Sequence, residues 1–313
     1  MGRRRPPDIL RKSHAHTEGK ARARARQQLR ESLDVTLTAD ERALLIDLDG
    51  VVFHGDEVIA GAAEAIAWLA AEQVRHLFVT NTTSRPREAL VEKLDGFGIP
   101  VDVDDIQAPP DAAAAWLAAH GVNRLLLAVP AATARAFAGF DTLTLDEAID
   151  RQRDRGREAA PAIVDAVVVG DIGAGWSFER LNAAFRCLMQ APQPKLIALG
   201  MTRYWHAPEG LRLDTAPFVT ALAHASGAEP VVLGKPSPEF FAAALERLGV
   251  PAARSWMIGD DIRTDVAGAQ AAGLKAILVR TGKFRPADLA LGIEPELTID
   301  SVADLPRAWT EHA

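Results

Sequence analysis

Short apolar segments recur along the chain from residue 43 to residue 279. Within each segment the apolar residues are continuous rather than alternating, which is typical of parallel strands buried on both faces of a sheet. The predicted strands are "ALLID" (43–47), "HLFVT" (76–80), "RLLLAV" (124–129), "DAVVVG" (165–170), "KLIALG" (195–200), "PVVLG" (230–234), "SWMIGD" (255–260) and "KAILV" (275–279).

Alanine-rich segments with helical patterns lie between these strands, and several of them end near a glycine, as helices often do. They include "AGAAEAIAWLAAEQ", "PREALVEKLDGFG", "SFERLNAAFRCLMQ" and "SPEFFAAALERLG". The alternation of strand and helix predicts an α/β fold with a doubly wound parallel sheet. The charged segment 146–161 interrupts this order, and we expect a solvated loop or a frayed helix there.

Composition and length are those of a globular protein with more than one structural unit. The chain has 313 residues, of which 48% are hydrophobic and 25% are charged, and this length exceeds the usual size of a single core. Neither an apolar stretch of about 18 residues, as a membrane span needs, nor a secretory signal is evident. A single cysteine, Cys187, cannot form an internal disulfide, so we expect a cytoplasmic protein.

Positive charge is concentrated at the start of the chain. The first thirty residues hold ten Lys or Arg and two acidic residues, whereas the whole chain has a net charge of −7. A basic segment can contact nucleic acid or anionic lipid. Because it offers few apolar residues for packing, we expect residues 1–40 to be a disordered extension and expect neither nucleic acid nor a membrane as a partner.

Polar clusters follow four of the predicted strands. They are Asp47 and Asp49, "TNTTSR" (80–85), "GKPSPEFF" (234–241) and "GDDIRTD" (259–265). Ligands of open α/β sheets bind outside the carboxyl ends of the strands. We therefore expect the four clusters to meet in one crevice.

Together these clusters supply the groups that phosphoryl transfer requires. Asp47 can act as the nucleophile, because carboxylates form aspartyl-phosphate intermediates, and Asp49 can transfer the proton of the leaving group. Asp260 offers the hard oxygen ligand that Mg²⁺ prefers, with Asp261 and Asp265 as supporting acceptors.

Three further residues are predicted to bind the phosphate group. Thr80 and the backbone of Asn81 can donate hydrogen bonds to its oxygens, and Lys235 provides a fixed positive charge. For the aspartates the alternative is a turn or a helix cap, and for Lys235 it is a solvated loop.

The four motifs, in this order, resemble those of the haloacid dehalogenase superfamily of phosphatases over residues 43 to about 284. The resemblance implies that Asp47 is the nucleophile, and that Asp49 is the general acid and base and also a metal ligand through its backbone carbonyl. Asp47 and Asp260 would bind Mg²⁺ through their side chains, while Thr80, Asn81 and Lys235 would hold the phosphate.

The interval between Thr80 and Lys235 is far longer than one crossover connection needs. It predicts a second α/β unit, a cap at residues 109–213, inserted into a core of residues 41–108 and 214–313. This arrangement resembles the type IIA members of the superfamily. The phrases "FVTNTTSRPREAL", "VVLGKPSPEFF" and "VRTGKFR" are most similar to the branch of phospholysine phosphohistidine inorganic pyrophosphate phosphatase and HDHD-type hydrolases.

The expected function is hydrolysis of a small phosphorylated metabolite, because a cap that closes over the site excludes water and large substrates. Phosphotransfer to another acceptor and a non-catalytic binding module are alternatives, and the presence of both Asp47 and Asp49 disfavours the second. Arg203 and Tyr204 are expected either on the substrate-facing edge of the cap or in simple cap packing. Caps of this family often supply dimer contacts, so a homodimer is left open.

Overall fold

The computed structural model describes residues 42–83, 85–154, 163–207 and 210–312. In chain order, its strands are β1 (Ala43–Asp47), β2 (Phe53–His54), β3 (Glu57–Val58), β4 (Arg75–Val79), β5 (Ile106–Gln107), β6 (Arg124–Ala128), β7 (Asp141–Thr144), β8 (Ala166–Val169), β9 (Lys195–Ala198), β10 (Tyr204–Ala207), β11 (Gly210–Leu213), β12 (Pro230–Val232), β13 (Ser255–Gly259), β14 (Lys275–Val279) and β15 (Leu297–Ile299).

The α-helices of the described residues are α1 (Ala62–Ala71), α2 (Arg87–Gly96), α3 (Pro109–Ala119), α4 (Ala131–Ala134), α5 (Leu145–Asp154), α6 (Phe178–Leu188), α7 (Thr215–Ser226), α8 (Pro238–Leu248), α9 (Gly268–Ala271) and α10 (Leu305–His312). A π-helical segment, Ile262–Ala267, leads directly into α9. Each predicted strand and each of the four predicted helices has a counterpart within two residues of its predicted ends.

The first sheet has six parallel strands in the order β15-β14-β13-β1-β4-β5. Every residue of the central strands β1 and β13 is buried, because helices cover the sheet on both sides. Leu44, Ile46 and Phe78 belong to one core cluster together with Leu69 of α1 and Trp309 of α10. The prediction of a doubly wound α/β fold is therefore confirmed.

The second sheet has five parallel strands in the order β12-β9-β8-β6-β7. One of its faces packs in a cluster with α6 and α7, and the other packs with α3. Its strands are again continuous apolar segments, such as the fully buried β8. Each sheet thus has a core of its own, as an inserted second unit requires.

The domain boundaries at residues 109 and 213 stay a prediction, but one strand pairs differently from what they imply. The prediction assigns residues 230–234 to the core, whereas β12 pairs in parallel with β9 of the second sheet. Helix α7 packs against that sheet and returns the chain to its edge. An apolar run indicates a strand but carries no information about which sheet it joins, and this is why the sequence misplaces it.

Two other expectations concern residues 1–40 and the charged segment 146–161. Residues 1–40 and 155–162 lie outside the described residues. Within the charged segment, residues 145–154 form helix α5, with Leu145 and Ala148 buried against the second sheet. The loop alternative is wrong for residues 146–154, which are helical, because Leu145 and Ala148 dock this part on the sheet. Over the described ranges, none of the helices has the length and apolar character needed to cross a membrane.

Candidate active site

Three predicted site residues lie side by side at the carboxyl edge of the first sheet. Asp47 ends β1 and is in register with Val79 of β4, so Thr80 follows at the same edge. On the other side of β1, Asp260 follows directly after β13. All three residues are at least 96% buried. Parallel pairing therefore brings together polar residues that are far apart in sequence.

Lys235 connects the carboxylates of this edge. Its Nζ lies 2.7 Å from Oδ1 of Asp47 and 2.7 Å from Oδ1 of Asp265, and its side chain is only 3% exposed. Burial by itself lowers the pKa of the Lys235 ammonium, but the carboxylates of Asp265 and Asp47 outweigh it and raise the pKa above its usual value. Lys235 is therefore a permanently charged group at the centre of the site.

Asn81 fixes the loop that carries Lys235. The Asn81 Nδ2 group donates to the backbone carbonyl of Lys235 at 2.9 Å, and its Oδ1 accepts from the Lys235 backbone N–H at 2.8 Å. A Cβ atom at the preceding Gly234 would lie 2.7 Å from the carbonyl oxygen of Leu199 in the second sheet. The loop therefore packs against both sheets, and glycine is needed for that close approach.

Asp260 lies in a cradle formed by two backbone segments. Its Oδ2 accepts a hydrogen bond from the backbone N–H of Lys283 at 2.7 Å. A Cβ at either Gly50 or Gly282 would come within 2.0 Å of this oxygen. Both glycines have positive φ, at 91° and 61°, and the Thr281 hydroxyl donates to the Gly50 carbonyl. The two loops thus close around one carboxylate that only glycines can accommodate.

The charge balance of this cluster favours a bound cation. Oxygen atoms of Asp47, Asp260 and Asp265 lie within 4.8 Å of one another, while the Lys235 ammonium is the cation in direct contact with two of them. Burial, and after it the charge of Asp47, raises the pKa of Asp260 to about 7. Its Oδ1 is buried and has no hydrogen-bond partner among the described residues. Hard carboxylate oxygens with an unsatisfied acceptor fit a divalent cation such as Mg²⁺ or Ca²⁺.

Asp49 differs from Asp47 in its exposure. The chain turns after β1, with the carbonyl of Leu48 accepting from Val52 N–H at 2.9 Å. As a result the Asp49 side chain is 54% exposed and lies 4.0 Å from the ring of His54. It is not part of the buried carboxylate cluster, and its metal contact through the backbone carbonyl stays a prediction.

Two further predicted residues, Asp265 and Asp261, are hydrogen-bonded to each other and otherwise make different contacts. The carboxylate of Asp265 contacts Lys235, and it also accepts from the Asp261 backbone N–H at 3.1 Å. Burial raises the pKa of Asp265, and the Lys235 charge opposes that shift. The Asp261 side chain caps the following helix through the N–H groups of Arg263 and Thr264. Capping is thus what the geometry shows for Asp261, and its supporting role stays a prediction.

Thr80 and the two predicted recognition residues, Arg203 and Tyr204, make contacts within their own segments. The hydroxyl of Thr80 accepts from the backbone N–H of Thr82 at 3.0 Å. Arg203 lies 5.8 Å above the ring of Tyr204, where the β10–β11 hairpin begins. Tyr204 is 48% exposed, and none of the contacts described for this pair reaches the carboxylate cluster. Substrate recognition by Arg203 and Tyr204 stays a prediction.

Sequence reasoning missed two functional features. One is the Asn81 side chain, which holds Lys235, whereas only the Asn81 backbone was predicted to act. The other is the loop of Thr281, Gly282 and Lys283 after β14. Its "TGK" sequence follows a predicted strand at the same edge of the sheet, and this position could have indicated it.

Replacing Gly282 with alanine is expected to destabilise the protein more than the matched change Gly292→Ala. Gly292 also has a positive φ, of 72°, but no atom lies within 4 Å of its Cβ position. Both variants should lose about 1–2 kcal/mol from the left-handed backbone, and overlap with Asp260 should cost Gly282→Ala a further ~1–3 kcal/mol. Urea unfolding measures both, and equal losses would contradict the cradle described above.

Comparison with known proteins agrees with this arrangement. A family model described as haloacid dehalogenase-like hydrolase matches residues 44–140, and one described as HAD-hydrolase-like matches residues 232–305. Phospholysine phosphohistidine inorganic pyrophosphate phosphatase of Bos taurus is 37% identical over 270 residues, which cover 85% of this chain and 92% of that protein.

Solved structures show the same similarity. The p-nitrophenyl phosphatase from Archaeoglobus fulgidus is 27% identical with a TM-score of 0.74, covering 86% of this chain and 99% of that one. Glycerol phosphate phosphatase from Mycobacterium tuberculosis, solved in complex with calcium, is 27% identical with a TM-score of 0.69, covering 84% and 74%. The fold, the four motifs and these similarities together show that the chain belongs to the haloacid dehalogenase-like hydrolases, in the branch predicted from its sequence.

Proposed function

We propose that this hydrolase is a Mg²⁺-dependent phosphatase that cleaves a small phosphorylated molecule through an aspartyl-phosphate on Asp47. The observation that carries the proposal is the environment of Asp47, a buried carboxylate at a strand end. Lys235 lies 2.7 Å from it, and Asp260 and Asp265 complete a set of hard oxygen ligands within 4.8 Å. A nucleophile, a fixed cation and a metal-binding carboxylate are the main requirements of this chemistry.

In the first step, an oxygen of Asp47 attacks the phosphorus atom and the bond to the leaving oxygen breaks. The electron pair departs with that oxygen, which takes a proton from Asp49. Asp47 is held in place by Lys235, whereas the exposed Asp49 can meet the leaving group on the solvent side. Their difference in burial therefore matches their different roles.

In the second step, water attacks the phosphorus of the aspartyl-phosphate and Asp49 accepts a proton from it. The bond between phosphorus and the Asp47 oxygen breaks, which releases phosphate and restores the carboxylate. Lys235, the Thr80 hydroxyl and the backbone N–H of Asn81 would hold the phosphate oxygens through both steps. A bound divalent cation would neutralise negative charge on the phosphate and on the carboxylates of Asp47 and Asp260.

The second sheet supplies the surroundings in which a substrate would be selected. It contacts the catalytic edge through the Lys235 loop and through the Thr133 hydroxyl, which donates to the carbonyl of Thr83 at 2.6 Å. The relatives' names point to pyrophosphate, phosphoamino acids, glycerol phosphate and aryl phosphates as compounds to test. Homodimer formation stays a prediction.

A cytoplasmic location is also part of the proposal. It is supported by Cys187, the chain's single cysteine, which is buried in the second core. Burial raises the pKa of its thiol to about 11, so the thiolate needed for disulfide exchange is scarce at neutral pH.

Asp47→Asn is expected to reduce phosphate release by roughly three orders of magnitude or more, because an amide is a poor nucleophile. The control is Asp95→Asn, a change at an exposed position of α2, which should match the wild type. Release is measured with Mg²⁺ on the phosphorylated compounds named above. Comparable turnover by Asp47→Asn would overturn the nucleophile assignment.

Removal of divalent cations with a chelator should abolish the activity, and added Mg²⁺ should restore it. Asp260→Asn is expected to raise the Mg²⁺ concentration for half-activation by about 10–100-fold. Asp261→Asn should shift it far less, because asparagine preserves the helix cap. Full activity after exhaustive chelation would exclude the metal-dependent mechanism.

Arg203→Ala and Tyr204→Phe test the predicted recognition edge of the second unit. If these residues contact the substrate, the ratio of kcat/KM between the two best substrates should change by about threefold or more. Arg151→Ala, an exposed change on α5, is the control. An unchanged ratio in both variants would assign this pair to packing or to the surface.

A further inference from the structure

A small hairpin follows the proton-transferring carboxylate directly. We call residues 53–58 the flap hairpin; it consists of β2, a turn at Gly55 and Asp56, and β3. Its first residue is bound to the segment that carries Asp49, because the Gly50 N–H donates to the Phe53 carbonyl at 2.7 Å and Asp49 bridges to Phe53. The backbone position of Asp49 therefore depends on where the hairpin lies.

Phe53 is buried in the first core, but the Asp49 side chain and residues 54–58 of the hairpin are exposed. The Asp49 carboxylate is 54% exposed, and the side chain described near it is the His54 ring, at 4.0 Å. The hairpin strands have only two residues each, and an isolated two-stranded hairpin is at best marginally stable in water. Burial of Phe53 holds the start of the hairpin, so its exposed turn at Gly55 and Asp56 depends on contacts from elsewhere in the fold.

Lys93 of α2 supplies such contacts. Its ammonium donates to the carbonyl of Gly55 and lies 3.3 Å from the Asp56 carboxylate. It also lies over the ring of Phe53, 4.1 Å from the centroid, and 5.9 Å from the centroid of Phe97. The Lys93 side chain is only 15% exposed, so the ammonium is directed at the hairpin rather than at water.

The contacts of Lys93 differ in strength. Asp56 is 96% exposed, and ion pairs with such a partner contribute little. The carbonyl hydrogen bond is charge-assisted, and the approach to Phe53 is a cation–π contact partly shielded from solvent. Both of these stronger contacts bind the turn and the first strand of the hairpin to α2.

We propose that Lys93 is a positioning residue for proton transfer by Asp49, because its contacts with Gly55 and Phe53 fix the flap hairpin from which the Asp49 backbone is held. This inference rests on the proposed function. None of the contacts described for Lys93 reaches the predicted phosphate-binding residues. Its loss should therefore impair protonation of the leaving oxygen and leave attack by Asp47 intact.

Substrates whose leaving groups differ in basicity separate impaired protonation of the leaving oxygen from impaired attack by Asp47. A p-nitrophenolate leaves readily without a proton, whereas the more basic phenolate gains more from protonation in the transition state. Phenyl phosphate and p-nitrophenyl phosphate have the same ring and differ in one nitro group. For both, kcat/KM covers the steps up to departure of the leaving group, so the ratio of the two values reports on proton transfer.

The test compares full-length Lys93→Met, Lys93→Arg and Lys275→Met with the wild type on both compounds in the presence of Mg²⁺. Lys275→Met is the matched control, because its ammonium also lies over an aromatic ring, 4.9 Å from the centroid of Trp256. Lys275 begins β14, at the end of the strand opposite the site.

Lys93→Met is expected to lower kcat/KM about tenfold for phenyl phosphate and less than about threefold for p-nitrophenyl phosphate. Lys93→Arg should restore the ratio, because a guanidinium can keep both the carbonyl and the ring contact. Lys275→Met should leave both values unchanged. Partial unfolding would lower both values equally and leave their ratio intact, and Lys93→Gln replaces Lys93→Met if the latter does not fold.

Two results would overturn the inference: an equal loss on the two compounds in a Lys93→Met protein whose circular dichroism and unfolding midpoint match the wild type, or a ratio that does not differ from that of Lys275→Met. The proposed function fails separately. It is refuted if the wild type with Mg²⁺ releases phosphate from none of the compounds named above or if Asp47→Asn retains activity, whereas a Lys93 result of either kind leaves Asp47 in its role.

Discussion

The buried ion pairs of Lys235 are the constraint on which the rest of the site depends. Its ammonium joins Asp47 of β1 to Asp265 of the helix after β13, at 2.7 Å from each. Removing one partner from such a group leaves an uncompensated buried charge, which typically costs about 3–5 kcal/mol. Because Lys235 follows a strand of the second sheet and is held by Asn81 after β4, this one ammonium fixes the relative positions of both sheets at the site.

The glycines around Asp260 surround a carboxylate that the Lys235 ammonium does not contact. One ammonium contacts Asp47 and Asp265, while an oxygen of Asp260 is buried with no partner among the described residues. The other oxygen, Oδ2, accepts from the Lys283 backbone N–H and is enclosed by closely approaching backbone. Gly50 and Gly282 allow this approach, since a Cβ at either would overlap Asp260. The glycines thus enclose Oδ2 and leave the unpartnered Oδ1 as the oxygen available to a cation.

The sequence predicted the components of this site better than the contacts between them. Strand ends and acidic motifs were predictable, because continuous apolar runs end where Asp47, Thr80 and Asp260 begin. The sheet that β12 joins was not, because apolar runs of similar composition can pair in either sheet. The Asn81 side chain was missed for a related reason: a hydrogen bond to a backbone group 154 positions away leaves no local pattern.

The two aspartates of the first motif show how one short segment can serve opposite requirements. Asp47 lies at the end of a buried strand, where ion pairs and packing allow little movement and orient it for attack. Asp49 lies two residues later, within the turn, where its exposed carboxylate can exchange a proton with solvent and, in the proposed mechanism, with the leaving group. An exposed carboxylate cannot be fixed by burial, because burial would remove it from the leaving group and from water. Its position must therefore come from neighbouring backbone, and Lys93, directed at the hairpin from α2, provides this without entering the site.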